Sequence, residues 1–242
     1  MAVSVDRVYQ TVLALANKEQ RGYITPQEFN LFANHAQMDI FEQYFYDLNQ
    51  FKRVPGNSVR YSDIVTVIED KLEIFKTSVP ITGSLYDLSN SNSDMVFTMP
   101  EDVYRIDKIR GRKSVGGSSM RQVEKLTETR LRLAQDASLT RATEHNPTCY
   151  LRGTQNLVVF PNTIDYINLL YIKKPTLPNW TYVVVNDKAL WNGNGVDFEV
   201  HKSEEQNLVV KIAKLAGISM KDTTLAQAAS SEEISNIQQE KA

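Results

Sequence analysis

Hydrophobic and polar positions recur along this chain with two different periods, and the change between them divides it. Val5, Val8, Tyr9, Val12, Leu13 and Ala16 fall at three- and four-residue steps, which predicts an amphipathic helix ahead of Gly22. A clearer helix start follows at Thr25, with Pro26 in the first position, where its missing N–H would be unpaired anyway, and Glu28 placed to close a capping box. Phe29, Phe32, Ala33, Ala36, Ile40, Tyr44, Leu48 and Phe51 then mark one face, and Asn30, Asn34, Gln43, Asp47 and Gln50 the other. The predicted helix, residues 26–51, is about 39 Å long at ~1.5 Å per residue. It forms a hairpin with the first helix. After the turn signal VPGN, Ser62 is expected to cap a third helix with the stripe Tyr61, Ile64, Val65, Ile68, Leu72 and Phe75.

Near Pro80 the period falls to two. Strands are expected at residues 84–88, 95–99, 103–110, 148–152, 157–160, 164–172 and 182–185. In 164–172, Ile164, Tyr166, Asn168, Leu170 and Ile172 share one face, and Asp165, Ile167, Leu169, Tyr171 and Lys173 the other, so that strand reads as buried on both sides. A helix at 124–136 interrupts the sheet, and the segment PTLP at 175–178 closes it with a stiff turn. Ser203-Glu204-Glu205-Gln206 reads as a second capping box, opening a helix with the stripe Leu208, Val209, Ile212, Leu215 and Ala216 that ends at Gly217. The tail, 222–242, offers only Leu225, Ala229, Ile234 and Ile237 as weakly spaced apolar points. Such a helix is marginal alone, so docking on a neighbouring subunit or partner is expected to order it. The fold class is therefore α+β, an N-terminal helical bundle with a β-rich insertion and C-terminal helices. Residues 1–78 hold the helical hairpin and third helix, 79–200 a β-rich domain with one inserted helix, and 201–242 helices that pack back on the N-terminal ones.

With 42% hydrophobic residues in 242, the chain can bury a sizeable core. Its net charge of −2, from 27 basic and 29 acidic side chains, argues against a protein that coats nucleic acid or membrane. One cysteine, Cys149, excludes an internal disulfide. The start, MAVSVDRVYQ, lacks a basic run followed by an apolar one, and no stretch approaches the ~18 apolar residues of a membrane span, so a soluble, untargeted chain is expected. Charge is uneven: residues 105–132 carry nine basic side chains against Asp107, Glu124 and Glu128. Arg110, Arg112, Lys113 and Arg121, around the glycine-rich loop 111–119, are the candidates for an interface or a DNA-facing surface, the plain alternative being a solvated face.

Catalytic patterns fail in detail. The loop GRKSVGGSS has the glycine spacing of a phosphate-binding loop, but Gly117 stands where the lysine is needed. NGNG at 192–195 suggests calcium, yet an EF-hand loop ending there would need Lys188 or Leu190 as its first ligand. His35, His145 and His201 are scattered, no histidine can be set beside Cys149, and the adjacent pairs Glu204, Glu205 and Glu232, Glu233 suit helix starts. No catalytic residue, metal or cofactor is expected. Trp180, Trp191 and the run Tyr44-Phe45-Tyr46 read as core.

The segments NKEQRGYITPQEFNLFANHAQMDIFEQYF, PEDVYRIDKI, YLRGTQNLVVFP, INLLYIKKPTLPNW and DFEVHKSEEQNLVVKIAKLAGI, in that order, resemble the head-to-tail connector (adaptor or ring) proteins of short-tailed, crAss-like bacteriophages. The resemblance covers most of the chain, its first and last segments being the more specific, and contains no catalytic signature. It implies a helical part with a β-rich insertion, and many copies, commonly twelve, in a ring below the portal that extends the DNA channel toward the tail. It further implies a C-terminal segment that docks into the portal or a neighbour. The partners implied are other copies of the chain, the portal protein, further tail or ring proteins, and passing genomic DNA without sequence specificity. The place implied is the head-to-tail junction of the virion, after synthesis in the bacterial cytoplasm. Two other readings stay open: a more distal tail or baseplate component, and a DNA-binding regulator using the helical hairpin and the basic stretch.

Overall fold

Thr25 and Glu28 close the capping box: the Thr25 N–H donates to Glu28 Oε2 at 3.0 Å, and the Glu28 N–H to Thr25 Oγ1 at 3.3 Å. The bond from the Thr25 N–H and a third, from the Thr25 hydroxyl to the same carboxylate oxygen at 2.8 Å, hold Glu28 below the usual carboxylate range. They open α2 (Pro26–Arg53) in this computed structural model, which describes residues 2–17, 24–53, 59–86, 94–113, 119–186, 188–219 and 223–241. Phe29, Ala33, Ala36, Ile40 and Tyr44 are buried as the period requires, joined by Phe41 and by the polar Gln37. Helix α1 (Val5–Asn17) buries Val5, Val8, Tyr9 and Val12, and its first N–H, from Val5, donates to Asp197 Oδ1 at 2.9 Å. Helix α3 (Val59–Glu73) begins ahead of Ser62, which therefore lies inside it and does not cap it. Ile68 and Leu72 are buried; the side chains of Tyr61 and Ile64 lie outside the described residues.

The chain divides into two compact units, Met1–Ile74 with Pro175–Ala242, and Phe75–Lys174. Residues 175–200 thus belong with the helices, not with the β-rich region to which the period assigned them. Their backbone is held by side chains of α1 and α2. Gln37 Nε2 donates to the Thr176 carbonyl at 2.7 Å and Gln37 Oε1 accepts from the Glu199 N–H at 3.0 Å. Asn30 Oδ1 accepts from the Trp180 N–H at 2.8 Å, while Val3 and Phe198 exchange backbone bonds of 3.1 and 3.0 Å. Trp180 is fully buried, donates from Nε1 to Asp6 Oδ1 at 2.9 Å, and lies with its ring 4.0 Å from that of Tyr9. From this arm rises a hairpin, β10 (Tyr182–Val185) with β11 (Lys188–Trp191), turned through Asn186 at φ 50°.

Helix α5 (Glu205–Ser219) follows a 3₁₀ turn, Lys202–Glu204. The expected capping box at Ser203 does not form; His201 caps the turn, its Nδ1 accepting from the Ser203 N–H at 3.3 Å. Gly217 is buried and stays helical, so α5 runs past it to Ser219. Helix α6 (Thr223–Lys241) returns antiparallel along α5, where Glu233 accepts from Lys211 at 3.0 Å and from Lys214 at 2.7 Å. The small Ala229 is buried. The tail therefore has a packing surface in its own chain, where ion pairs supplement its sparse apolar points.

The second unit is a sandwich of two sheets. One has the order β1-β9-β4-β5, built from β1 (Lys76–Thr82), β4 (Val103–Arg112), β5 (Arg121–Gln122) and β9 (Tyr166–Lys173). The other has the order β2-β3-β8-β7-β6, from β2 (Ser84–Leu85), β3 (Met95–Thr98), β6 (Glu124–Lys125), β7 (Thr148–Arg152) and β8 (Asn156–Phe160). Between them lie Phe97, Ile109, Cys149, Leu157, Val159, Ile167 and Leu169. β1 escapes the strand pattern because it contains Pro80, which an edge strand tolerates. Gly83 carries the chain from β1 to β2 where a Cβ would stand 2.7 Å from Met95 Sδ and from the Phe97 ring. Residues 124–125 leave the predicted helix to pair in parallel with β7, so α4 (Glu128–Asp136) is shorter; its Leu131 packs with Tyr150 and Val158.

Candidate functional site

The four-stranded sheet has one face in the core and one facing out. In β9, Ile167, Leu169 and Tyr171 are buried on the core side, whereas Tyr166, Asn168 and Leu170 opposite them are half-covered. The expectation that this strand is buried on both sides therefore holds only in part, at Ile172. Residues directly opposite in an antiparallel ladder share a face. Arg105, Lys108, Arg110 and Arg112 of β4 stand opposite Ile172, Leu170, Asn168 and Tyr166, and Lys76 of β1 also stands opposite Ile172. Five cations thus project from one face. The spacing of Arg105 and Lys108 is odd and would set them on opposite faces of a regular strand; the irregularity between Ile106 and Lys108, at Asp107, restores Lys108 to the side of Arg105. Asp107 is the only carboxylate in β1, β4, β5 and β9.

Arg112 lies with its guanidinium 4.5 Å from the centre of the Tyr166 ring, a cation–π contact. Its Nε and the neighbouring Asn168 Oδ1 are buried polar atoms without a hydrogen-bond partner among the described residues. Buried groups of this kind cost stability unless a ligand or water satisfies them.

The structure separates the residues that the sequence grouped. Arg110 and Arg112 join the outer face. Lys113 is paired with Glu144 at 3.1 Å, a hydrogen bond that holds the Glu144 carboxyl below its usual range. Arg121 stands opposite Gly111, on the other side of the sheet from Arg110. Farther along the stretch, Lys125 and Arg132 belong to β6 and α4, with Arg132 bound to Glu128 at 2.7 Å. Residues 114–118 of the basic loop lie outside the described residues. Lys76 was missed because β1 was; its signal in the sequence is alternation through 76–82, masked by the proline. In the tail, Ala229 is buried and Ile234 exposed, so they lie on different faces of α6, and the side chains of Leu225 and Ile237 lie outside the described residues.

Other chemistry is sparse. Cys149 is fully buried in β7, and burial pushes its thiol up to about 12, the opposite of a reactive nucleophile. Glu204 is buried and paired with Lys71. Among the described residues no cluster of three or more His, Cys, Asp or Glu side chains could hold a metal, and no helix is long and apolar enough to cross a membrane. No family model matches the chain, and no curated protein matches it in sequence.

Proposed function

We propose that this chain is a non-enzymatic virion structural protein, a connector subunit that forms a ring below the phage portal and extends the DNA channel toward the tail. The observation that carries the reading is architectural. A helical unit is assembled from both ends of the chain, and a closed sandwich is inserted whole between them, entering at β1 and leaving at β9, which lie side by side with Lys76 opposite Ile172. That is the layout the sequence resemblance implies.

A ring of one subunit type needs a head-to-tail contact that closes after a whole number of copies. Each contact can be modest, because contacts around a templated ring reinforce one another. The β10–β11 hairpin suits such a contact: Val183, Val184 and Leu190 are each more than half exposed on a two-stranded ribbon. Light scattering on the purified chain, alone and with a portal protein, tests the reading. A monomer that becomes a large discrete complex only with portal is the expected result. A chain that ignores the portal would move it to a more distal tail component.

A further inference from the structure

We infer that the turn at 192–195 is a self-modification site, at which Asn192 converts to aspartate and isoaspartate through attack by the backbone nitrogen of Gly193. The segment NGNG holds the chain's two Asn-Gly pairs. Glycine has no Cβ, so its nitrogen is the least shielded from a preceding asparagine side chain. The step is redox-neutral. The Gly193 nitrogen bonds to Asn192 Cγ, the Cγ–Nδ2 bond breaks, and the Gly193 proton leaves with Nδ2 as ammonia. Water then opens the cyclic imide at either carbonyl, giving aspartate or an isoaspartate whose backbone runs through Cγ.

The fold treats the two pairs differently. Attack gathers negative charge on Asn192 Oδ1, and that oxygen already accepts from the Thr181 hydroxyl and, at 3.0 Å, from the Asn194 N–H. Two donors aimed at the oxygen where charge develops lower the barrier, as in an oxyanion hole. Asn192 is exposed, so ammonia leaves directly to solvent, and among the described residues no group accepts from its Nδ2 or from the Gly193 N–H. Gly193 adopts φ 82°, with open space where a Cβ would stand. The second pair is enclosed. At Gly195 a Cβ would strike the Trp191 ring and lie 2.7 Å from the Asn179 carbonyl oxygen, and Val196 beside it exchanges backbone bonds of 2.9 and 3.0 Å with Asn179. Ring closure at Asn194 must turn a backbone that these contacts fix, so modification is directed to Asn192.

Aspartate at 192 keeps an acceptor for both hydrogen bonds and adds one negative charge. Isoaspartate adds a backbone carbon between residues 192 and 193, at the foot of the β10–β11 ribbon, where the Asn192 N–H donates to the Thr181 carbonyl at 3.3 Å. The lengthened turn no longer matches the seat of Gly195 against Trp191, and this shifts the ribbon that carries the exposed Val183, Val184 and Leu190.

The test is incubation of the full chain at mildly alkaline pH, native and in urea, with peptide mass spectrometry and isoaspartate-specific methylation as the readouts. In the native chain Asn192 is expected to react about tenfold faster than Asn194, less than the ~10²–10³ of one donor in an enzyme's oxyanion hole because this turn is open to water. In urea the two Asn-Gly pairs are expected to react alike. Thr181→Val removes one donor and should slow Asn192 several-fold in the native chain only, whereas Thr181→Ser keeps the hydroxyl and should react like wild type. Asn192 that stays unmodified in the native chain, or that reacts no faster than Asn194, overturns the inference, as does a folded Thr181→Val chain that reacts at the wild-type rate. The contrast between native and urea-unfolded wild type needs no variant, so it decides the matter even where Thr181→Val does not fold.

Discussion

The ion pair between Lys71 and Glu204 ties α3 to the start of α5, and removing either charge should loosen the helical unit unequally. Lys71 Nζ lies 2.6 Å from Glu204 Oε1, with side chains only 18% and 5% exposed. Asn207 Nδ2 donates to the other oxygen of Glu204 at 2.8 Å, and the Lys71 ammonium lies 5.6 Å from the centre of the Tyr44 ring. Lys71→Met strands a carboxylate that is almost wholly buried with one neutral donor left, a loss of about 3–5 kcal/mol. Glu204→Gln keeps an oxygen for a hydrogen bond and leaves an ammonium on a flexible stem that can reach toward solvent and toward Tyr44, so about 1–2 kcal/mol is expected. In the double variant no charge is buried. Its cost should fall near ~1 kcal/mol, well below the sum of the singles, because a buried pair contributes little net stability while each half alone is costly.

The assay is favourable because both tryptophans, Trp180 and Trp191, lie in the helical unit, so urea unfolding followed by tryptophan fluorescence reports that unit by itself. The expected order of midpoints is wild type, double variant, Glu204→Gln, Lys71→Met. A double variant as unstable as the two singles added together would show that the side chains act independently, and the account of this pair would be wrong.

Three further outcomes are expected. Gly195→Ala places a Cβ against the Trp191 ring and 2.7 Å from the Asn179 carbonyl oxygen, so it should destabilise the helical unit by ~1–3 kcal/mol in the same fluorescence assay. Burial raises the Cys149 thiol to about 12, so the native state keeps a proton that the unfolded chain releases: stability is full below the ordinary thiol range and falls as pH climbs from it toward about 12, and a thiol reagent should label Cys149 near neutral pH only once urea unfolds the sandwich. Burial alone would raise the Glu233 carboxyl, but hydrogen bonds from Lys214 and Lys211 outweigh it and hold Glu233 below the usual range. Its contribution is therefore present above the unfolded carboxylate range and lost as pH falls through the lowered value. Glu233→Gln should speed hydrogen exchange across α6 near neutral pH and make no difference in strong acid.

Local pattern was enough for the parts of this protein that rest on near neighbours. The capping box at Thr25 and the buried stripes of α1 and α2 follow from residues three and four apart, and the alternation in β9 groups Ile167, Leu169 and Tyr171 on one face. What the sequence could not settle depends on residues distant along the chain. Residues 124–125 look helical until β7 offers them a partner, and 175–200 look like sheet until Asn30, Gln37 and Val3 supply their hydrogen bonds. Glu204 looks like a dipole-offsetting residue until Lys71 meets it. The basic face shows the limit most plainly. Its charges were visible as a run from 105 to 132, yet their division between surfaces was decided by one irregularity at Asp107 and by the placing of Arg121 and α4 elsewhere. Periodicity assigns a side chain to a face only while the ladder is regular, and whether a ladder bulges, and which strand lies beside it, is settled by packing among segments that only the folded chain brings together.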